Sequence, residues 1–582
     1  MTVPAIGDYG LIGDCHAAAL VSRDGAIDWC CLPRFDSGSC FGRLLLPEGG
    51  TCRVGVDGDS EPGGREYLED TMVLATTLRA AGGEARLLDC LAIDEDRRLV
   101  LRVVEGVRGA VPLHIRIEPR FDYGEVEPWI RHHGIGLYSA IGGNDALLCS
   151  CDARLEPAEL AALEARVTVR AGDRIRLALS YHAPQELEHE LEPPDPEELD
   201  RVLDRTIAFW RRWSRRVRYG GPDAEAARRS ALVLKALTYA PTGALVAAPT
   251  TSLPETPDGQ RTYDYRYAWI RDAVLAARSL ARLGCEQEAD DLRRFMERSC
   301  AGGADDLQVL FGVGGERRVT ELEVGPIRVG NSAAGQLQLD AYGHLVEQSW
   351  RWYERGHTPD DDYWRFLVDL VDAAVDRWQE PDAGLWEWRG EPKHFTYSKA
   401  ICWLAAHRGL QLAERCMRKA PEARWRTARD EIRAAIEEHG CRQGVFVQAF
   451  DEPELDAGVL RLPTLGFVDY GDERMVRTVD ALREGLDDGG LLRRYGNDDG
   501  QPGREGAFLA CTFWLVECLA HQGRLDDARA AFDRATATAN DLGLFGEEFD
   551  VEGGLILGNY PQALSHLAHI EAALALADAA NG

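Results

Sequence analysis

The sequence predicts a multidomain α and β protein. It reads as an N-terminal antiparallel β-sandwich (1–198), a linker helix (199–221) and a C-terminal array of paired helices (222–582) that an (α/α)6 barrel would accommodate. Three observations predict this. Short alternating apolar runs fill the first third, apolar residues at three- and four-residue spacing fill the rest, and a Pro- and Glu-rich stretch, Leu191 to Glu198, separates them.

The strand signals come first. Met72 to Leu78, Leu99 to Val104, Leu113 to Ile117, Ala165 to Val169 and Ile175 to Ser180 are apolar runs divided by Gly and Asp clusters. In the segment from Val111 to Ile117, the residues Val111, Leu113, Ile115 and Ile117 fall on one face, the period-two pattern of a half-buried strand. A charged, Trp-containing helix at about Leu199 to Val217 follows and is placed to bridge the halves.

Beyond Gly221 the helical segments are Ala224 to Tyr239, Ala273 to Leu283, Glu286 to Arg298, Ala334 to Arg355, Pro359 to Trp378, Tyr397 to Cys416, Pro421 to Glu438, Asp472 to Leu486, Ala507 to His521, Leu525 to Thr538 and Pro561 to Ala579. A twelfth is expected in the irregular stretch near Leu455 to Leu465. Periodicity alone leaves an (α/α)6 toroid, an irregular bundle and a helical solenoid open, and no repeat favours the solenoid.

Composition narrows the partners. A formal net charge of −31 disfavours nucleic acid and anionic membranes and suits a small neutral saccharide. The opening MTVPAIGDYG lacks a basic region followed by an apolar one, and no apolar stretch has membrane-spanning length. The fifteen cysteines are scattered without a C-x-x-C pair, so reduced thiols in a cytoplasmic protein are expected, with no metal site and no cofactor.

Three loop motifs carry candidate chemistry. Gly384-Leu-Trp-Glu-Trp-Arg-Gly390 places Glu387 between Trp386 and Trp388. Ring surface there would disfavour the carboxylate, as a general acid requires, and aromatic faces stack on sugars. Gly543-Leu-Phe-Gly-Glu-Glu-Phe-Asp550 offers Glu547 and Glu548 as candidate bases. Tyr263-Asp-Tyr-Arg-Tyr-Ala-Trp-Ile-Arg-Asp272 stands at a helix start, where Arg271 and Asp272 supply donors and acceptors for pyranose hydroxyls. Taken singly, each is equally well read as a packed rim loop, a solvated acidic run or a helix entry. Arg493 to Gly500 is a polar loop able to close a pocket, and His394 and Lys399 read as structural.

The motifs together resemble bacterial members of glycoside hydrolase family 15. The match starts at Ile6 to Asp14 and continues through Asp24 to Trp29, Cys31 to Ser37, Pro249-Thr-Thr-Ser-Leu-Pro-Glu255, Tyr263 to Asp272 and Val329 to Asn331. It closes with the Glu387 loop, Gly506 to Thr512 and the Glu547 loop, in family order over nearly the whole chain. The resemblance implies a β-sandwich, a linker helix and an (α/α)6 barrel. It implies inverting, exo-acting α-glucoside hydrolysis that releases β-glucose from non-reducing ends. Carried over by motif, Glu387 is the general acid and Glu547 the general base. Arg271 and Asp272 grip the distal hydroxyls of the glucose, Tyr265 stands near the attacking water, and Arg494 binds sugar. Trp269, Trp386 and Trp388 complete the expected substrate-binding set. Fungal glucoamylases carry a second Glu directly after the acid. Trp388 replaces it here, which speaks against starch and leaves room for a disaccharide.

This reading ranks α-1,6- or α-1,4-glucosides ahead of trehalose. Phosphate-dependent release of glucose 1-phosphate would instead indicate an inverting disaccharide phosphorylase, and binding without turnover a carbohydrate-binding protein.

Overall fold

The computed structural model describes residues 3–581 apart from 62, 95–96, 135, 189–190 and 305–306. Among them, fifteen strands before residue 183 form one continuous antiparallel system. Its organising element is the 20-residue strand Leu99–Glu118. The first half of this strand pairs with Gly83–Leu91 and Arg174–His182; the second half pairs with Thr51–Val56 and Ala162–Arg170. One strand thus joins two sheets. Val111, Leu113, Ile115 and Ile117 are all fully buried, as their period-two spacing requires.

The linker helix, α1, spans Pro196–Ser214 and so begins ahead of the expected residue 199. The cause is local: Asp195 accepts a hydrogen bond from Glu197 N, and Pro196 occupies the first turn, where its missing N–H costs nothing. Leu199, Val202 and Leu203 cover the apolar sheet surface made by Val73, Ala75, Leu88, Leu101 and Val103. At the far end the Trp213 indole donates to Glu288 at 2.6 Å. The helix therefore touches both halves.

All eleven helices expected after residue 221 are present: α2 (Ala224–Ala236), α3 (Ile270–Arg282), α4 (Glu286–Ser299), α5 (Asp340–Glu354), α6 (Asp361–Arg377), α7 (Thr396–Arg415), α8 (Glu422–His439), α9 (Glu473–Gly485), α10 (Leu509–His521), α11 (Leu525–Thr536) and α12 (Ala563–Asn581). The stretch expected to hold a twelfth contains only a short 3-10 turn, Ala457–Arg461. Gly458 lies inside it, and the Asp456 side chain caps Gly458 N at 2.6 Å.

Burial sorts the helices into two layers. Residues 509–520 of α10 are all buried, whereas α8 and α11 bury a single stripe. The inner members touch in a closed order: α3, α5, α7, the 3-10 turn, α10, α12 and back to α3. Helices α4, α6, α8, α9, α11 and α2 pack outside them. No helix of the described residues is long and apolar enough to cross a membrane.

The sheet domain also braces loops of the helical half. Trp29 Nε1 donates to Pro249 O at 2.8 Å, and the buried Arg266 donates to Ser37 O at 2.8 Å. Asn540 Nδ2 donates to Gly7 O and Tyr9 O at 3.1 and 2.9 Å. The Tyr560 hydroxyl donates to Tyr9 O at 3.0 Å.

Candidate active site

The site lies where inner helices begin. Arg271 and Asp272 are in the first turn of α3, Phe508 caps α10, Gln562 and Leu564 flank the start of α12, and the Glu387 loop leads into α7. Together with Ala247, Tyr265, Trp269, Leu385, Trp386, Arg494 and Glu547 they line one pocket. Aromatic walls with a few convergent polar groups are usual for small-ligand sites. Helix N-termini add positive potential.

Glu387 is held by its backbone. Its φ of +57° lies in the left-handed region, which a glutamate enters only under constraint. The constraints are Trp388 N to Ala383 O at 2.8 Å and Gln336 Nε2 to Glu387 O at 3.2 Å. Gly384, with φ +65°, lets the chain pass the Phe395 ring, where a Cβ would come within 2.6 Å. The carboxylate accepts a hydrogen bond from Trp269 Nε1 at 2.6 Å.

The tryptophans that flank Glu387 in sequence do not form its cage. Trp386 lines the pocket, but its indole N–H donates to Asp456 at 2.9 Å. Trp388 turns away altogether and packs with Phe395, Ala449 and Tyr495, with Lys393 Nζ over its ring at 5.0 Å. Trp388, expected among the substrate-binding residues, is not in the lining of this pocket: residues 384–387 form a turn with Glu387 in the left-handed region, and the apolar cluster takes the ring that follows. Trp269, from a different segment, supplies the ring beside the acid.

Glu547 reaches the pocket from a separate loop. Leu509 N, at the start of α10, donates to Glu547 O at 3.1 Å, and the next residue pairs with Phe508 in a small sheet. Gly558 N donates to Pro254 O at 2.7 Å, which draws Glu255 alongside. A Cβ at Gly558 would stand 2.9 Å from Glu547 Oε2, so only glycine leaves room for the carboxyl. The Tyr265 hydroxyl lies 3.0 Å from Glu547 Oε1 and 3.0 Å from Glu255 Oε1. Burial, then the neighbouring Glu255, pushes Glu547 well above the usual carboxylate range. Burial likewise pushes Glu255 up to about 7, against the pull of Arg494.

Arg271 is a largely buried cation whose ion pairs are all long. Its Nε has no hydrogen-bond partner, and the nearest carboxylates, Glu387, Asp340 and Asp272, stand at 3.6, 3.8 and 4.0 Å. A guanidinium left unsatisfied beside a pocket is poised for a ligand's oxygens. Arg271→Lys keeps the charge and loses the fork. Its kcat/KM is expected to fall about 10- to 100-fold, the worth of one or two charged hydrogen bonds. An unchanged kcat/KM in the folded variant would remove Arg271 from binding.

Arg494 reaches the pocket but is not free: its Nε donates to Glu505 Oε2 at 2.8 Å, and its guanidinium lies 5.2 Å from the Tyr495 ring centre. Glu255, Glu505 and Glu548 bring oxygen atoms within 4.8 Å of one another, and Arg494 is the cation set among them. Glu548 accepts from Gly506 N at 2.9 Å and does not line the pocket. Lys399 donates to Glu380 O and His394 stacks on Phe450, both outside the pocket, consistent with structural roles.

Eight of the nine expected residues therefore meet: Glu387, Glu547, Tyr265, Trp269, Arg271, Asp272, Trp386 and Arg494. Sequence reasoning gave no role to Glu255, although it ends a quoted motif; its signal was a carboxylate eight residues before the aromatic Tyr263 segment.

Carboxylates from two separate loops, Glu387 and Glu547, line one pocket with Arg271 and Asp272, an arrangement that suits a glycoside hydrolase. A sequence profile of the glycosyl hydrolases family 15 matches residues 221–574, and one described as trehalase-like, N-terminal matches residues 2–159. The chain belongs to glycosyl hydrolases family 15. It is 37% identical to a trehalase of Mycobacterium tuberculosis, over 98% of this chain and 89% of that one. A trehalase of Thermoplasma volcanium is 33% identical, over 99% and 94%. The fold is similar to that of a bacterial glucoamylase solved with acarbose, at a TM-score of 0.75 and 12% identity, covering 99% and 96% of the two chains.

Proposed function

We propose that this enzyme hydrolyses trehalose with inversion, on a six-hairpin (α/α)6 toroid whose fourth inner member is the 3-10 turn. The carrying observation is that Glu387 and Glu547, from separate loops, line one pocket with Arg271 and Asp272. Trehalases aligned over nearly the full length support trehalose, and reverse the order in which α-1,6- and α-1,4-glucosides stood first. The neutral disaccharide also suits a chain of net charge −31.

In this mechanism Arg271 and Asp272 hold the distal hydroxyls of one glucose. Glu387, steadied by the Trp269 N–H, protonates the glycosidic oxygen. Glu547 takes a proton from a water that attacks C1 on the opposite face, a geometry needing carboxyls about 6.5–9.5 Å apart. The attacked glucose leaves as the β anomer.

The test is proton NMR of fresh products from trehalose, maltose, isomaltose, kojibiose, nigerose and dextran. Turnover of trehalose with α- and β-glucose in equal initial amounts is expected, because the departing glucose keeps its α configuration. Initial α-glucose alone would mean retention and would overturn the two-carboxylate scheme. Turnover of another member instead of trehalose would overturn the substrate assignment.

A further inference from the structure

We propose that Glu255 and Glu547 act as one carboxyl pair holding a single proton between them, with Glu255 the positioning partner of the base. The inference deepens the reading of Glu547 as base and rests on it.

Four observations carry it. The Tyr265 hydroxyl stands 3.0 Å from Oε1 of each carboxyl. The other oxygen of each, Oε2, is buried without a hydrogen-bond partner. Both side chains pack on Gly558: a Cβ there would lie 2.9 Å from Glu547 Oε2 and 3.7 Å from Glu255 Cγ. The local charges do not balance if every acid is ionised. Glu255, Glu505, Glu547 and Glu548 meet here, with the phenols of Tyr263 and Tyr265 beside them. The cations are Arg494, engaged by Glu505 and 4.0 Å from Glu255, and Arg261, engaged by Asp499 and Glu505. A proton shared by Glu255 and Glu547, whose carboxyls lie within hydrogen-bond reach of each other, removes one surplus charge. The raised positions of both carboxyls agree with this.

The chemistry closes. As the water oxygen bonds to C1 and the C1–O bond breaks, the water proton joins the pair, which goes from one proton to two. The Glu387 proton goes to the leaving oxygen. Afterwards the pair returns one proton to solvent and Glu387 regains one.

Glu255→Gln distinguishes the pair from its rivals by the sign of a shift. In the pair, an O–H···O⁻ bond steadies the singly protonated state; an amide N–H donates more weakly. The acid limb of kcat/KM is therefore expected to move to higher pH, by about one unit. Were Glu255 a plain carboxylate neighbour, removing its charge would move the limb to lower pH. Glu255→Asp retains a carboxyl and is expected to keep the limb near its original position. A downward shift, or no shift, in a folded Glu255→Gln overturns the pair. Carboxyl 13C shifts of the unmutated enzyme give a check that needs no variant at this position. Two glutamates titrating together in two steps support the pair; independent single steps overturn it. Failure of the base assignment is separate, since it would show as retained turnover in Glu547→Gln.

Discussion

Glu547→Gln is expected to lower kcat by about 10²- to 10⁴-fold, the usual contribution of a general base, with KM changed only a few-fold and the fold intact. Glutamine keeps the volume beside Gly558, where there is no spare room. Its amide oxygen can still accept from Tyr265, now 3.0 Å from Glu547 Oε1. What it cannot do is take a proton from water. The loss should therefore fall on the chemical step and not on binding, the role proposed for Arg271 and Asp272. Initial rates and a thermal melt check it; near-normal kcat in a folded variant would remove Glu547 from the mechanism.

Glu387→Gln should lose as much on the natural substrate yet behave differently with a good leaving group. Protonating the glycosidic oxygen matters because an alkoxide is a poor leaving group. Fluoride departs without that help. On an α-glucoside the variant is expected to fall about 10²- to 10⁴-fold, while α-glucosyl fluoride should still be hydrolysed within about ten-fold of the original rate. Glu547→Gln should lose both activities, since every substrate needs the water activated. The crossed pattern would exchange the two roles. Equal loss of both substrates in Glu387→Gln would mean that this residue acts through structure, for which its left-handed backbone and its bond to Trp269 give ample means.

Much of this architecture was legible because periodicity reports burial directly. The continuous apolar run of α10 and the striped faces of α8 and α11 each gave the right element. The stretch before Leu465 misled because an inner position can be filled by a 3-10 turn when neighbouring helices supply the burial. In the site, motif spacing found the residues but not their directions. Nothing local tells Trp388 to turn toward Phe395 and Tyr495, and nothing local tells Trp269 to reach Glu387. Glu255 was invisible as a functional group because its importance comes from Gly558, which lies three hundred residues away in the chain and is tied to it by one backbone hydrogen bond.

The bonds from Trp29 to Pro249, from Arg266 to Ser37 and from Asn540 and Tyr560 to Tyr9 have a consequence for how such an enzyme can change. They tie the segments carrying Glu255, the Arg271 motif and Glu547 to a domain that lends no side chain to the pocket lining. Exchanging or deleting that domain would remove these supports from three loops at once. The supports at Ser37 and Tyr9 are backbone oxygens and survive a change of side chain, so of these only Trp29 offers a side-chain route from the sheet domain to a pocket loop.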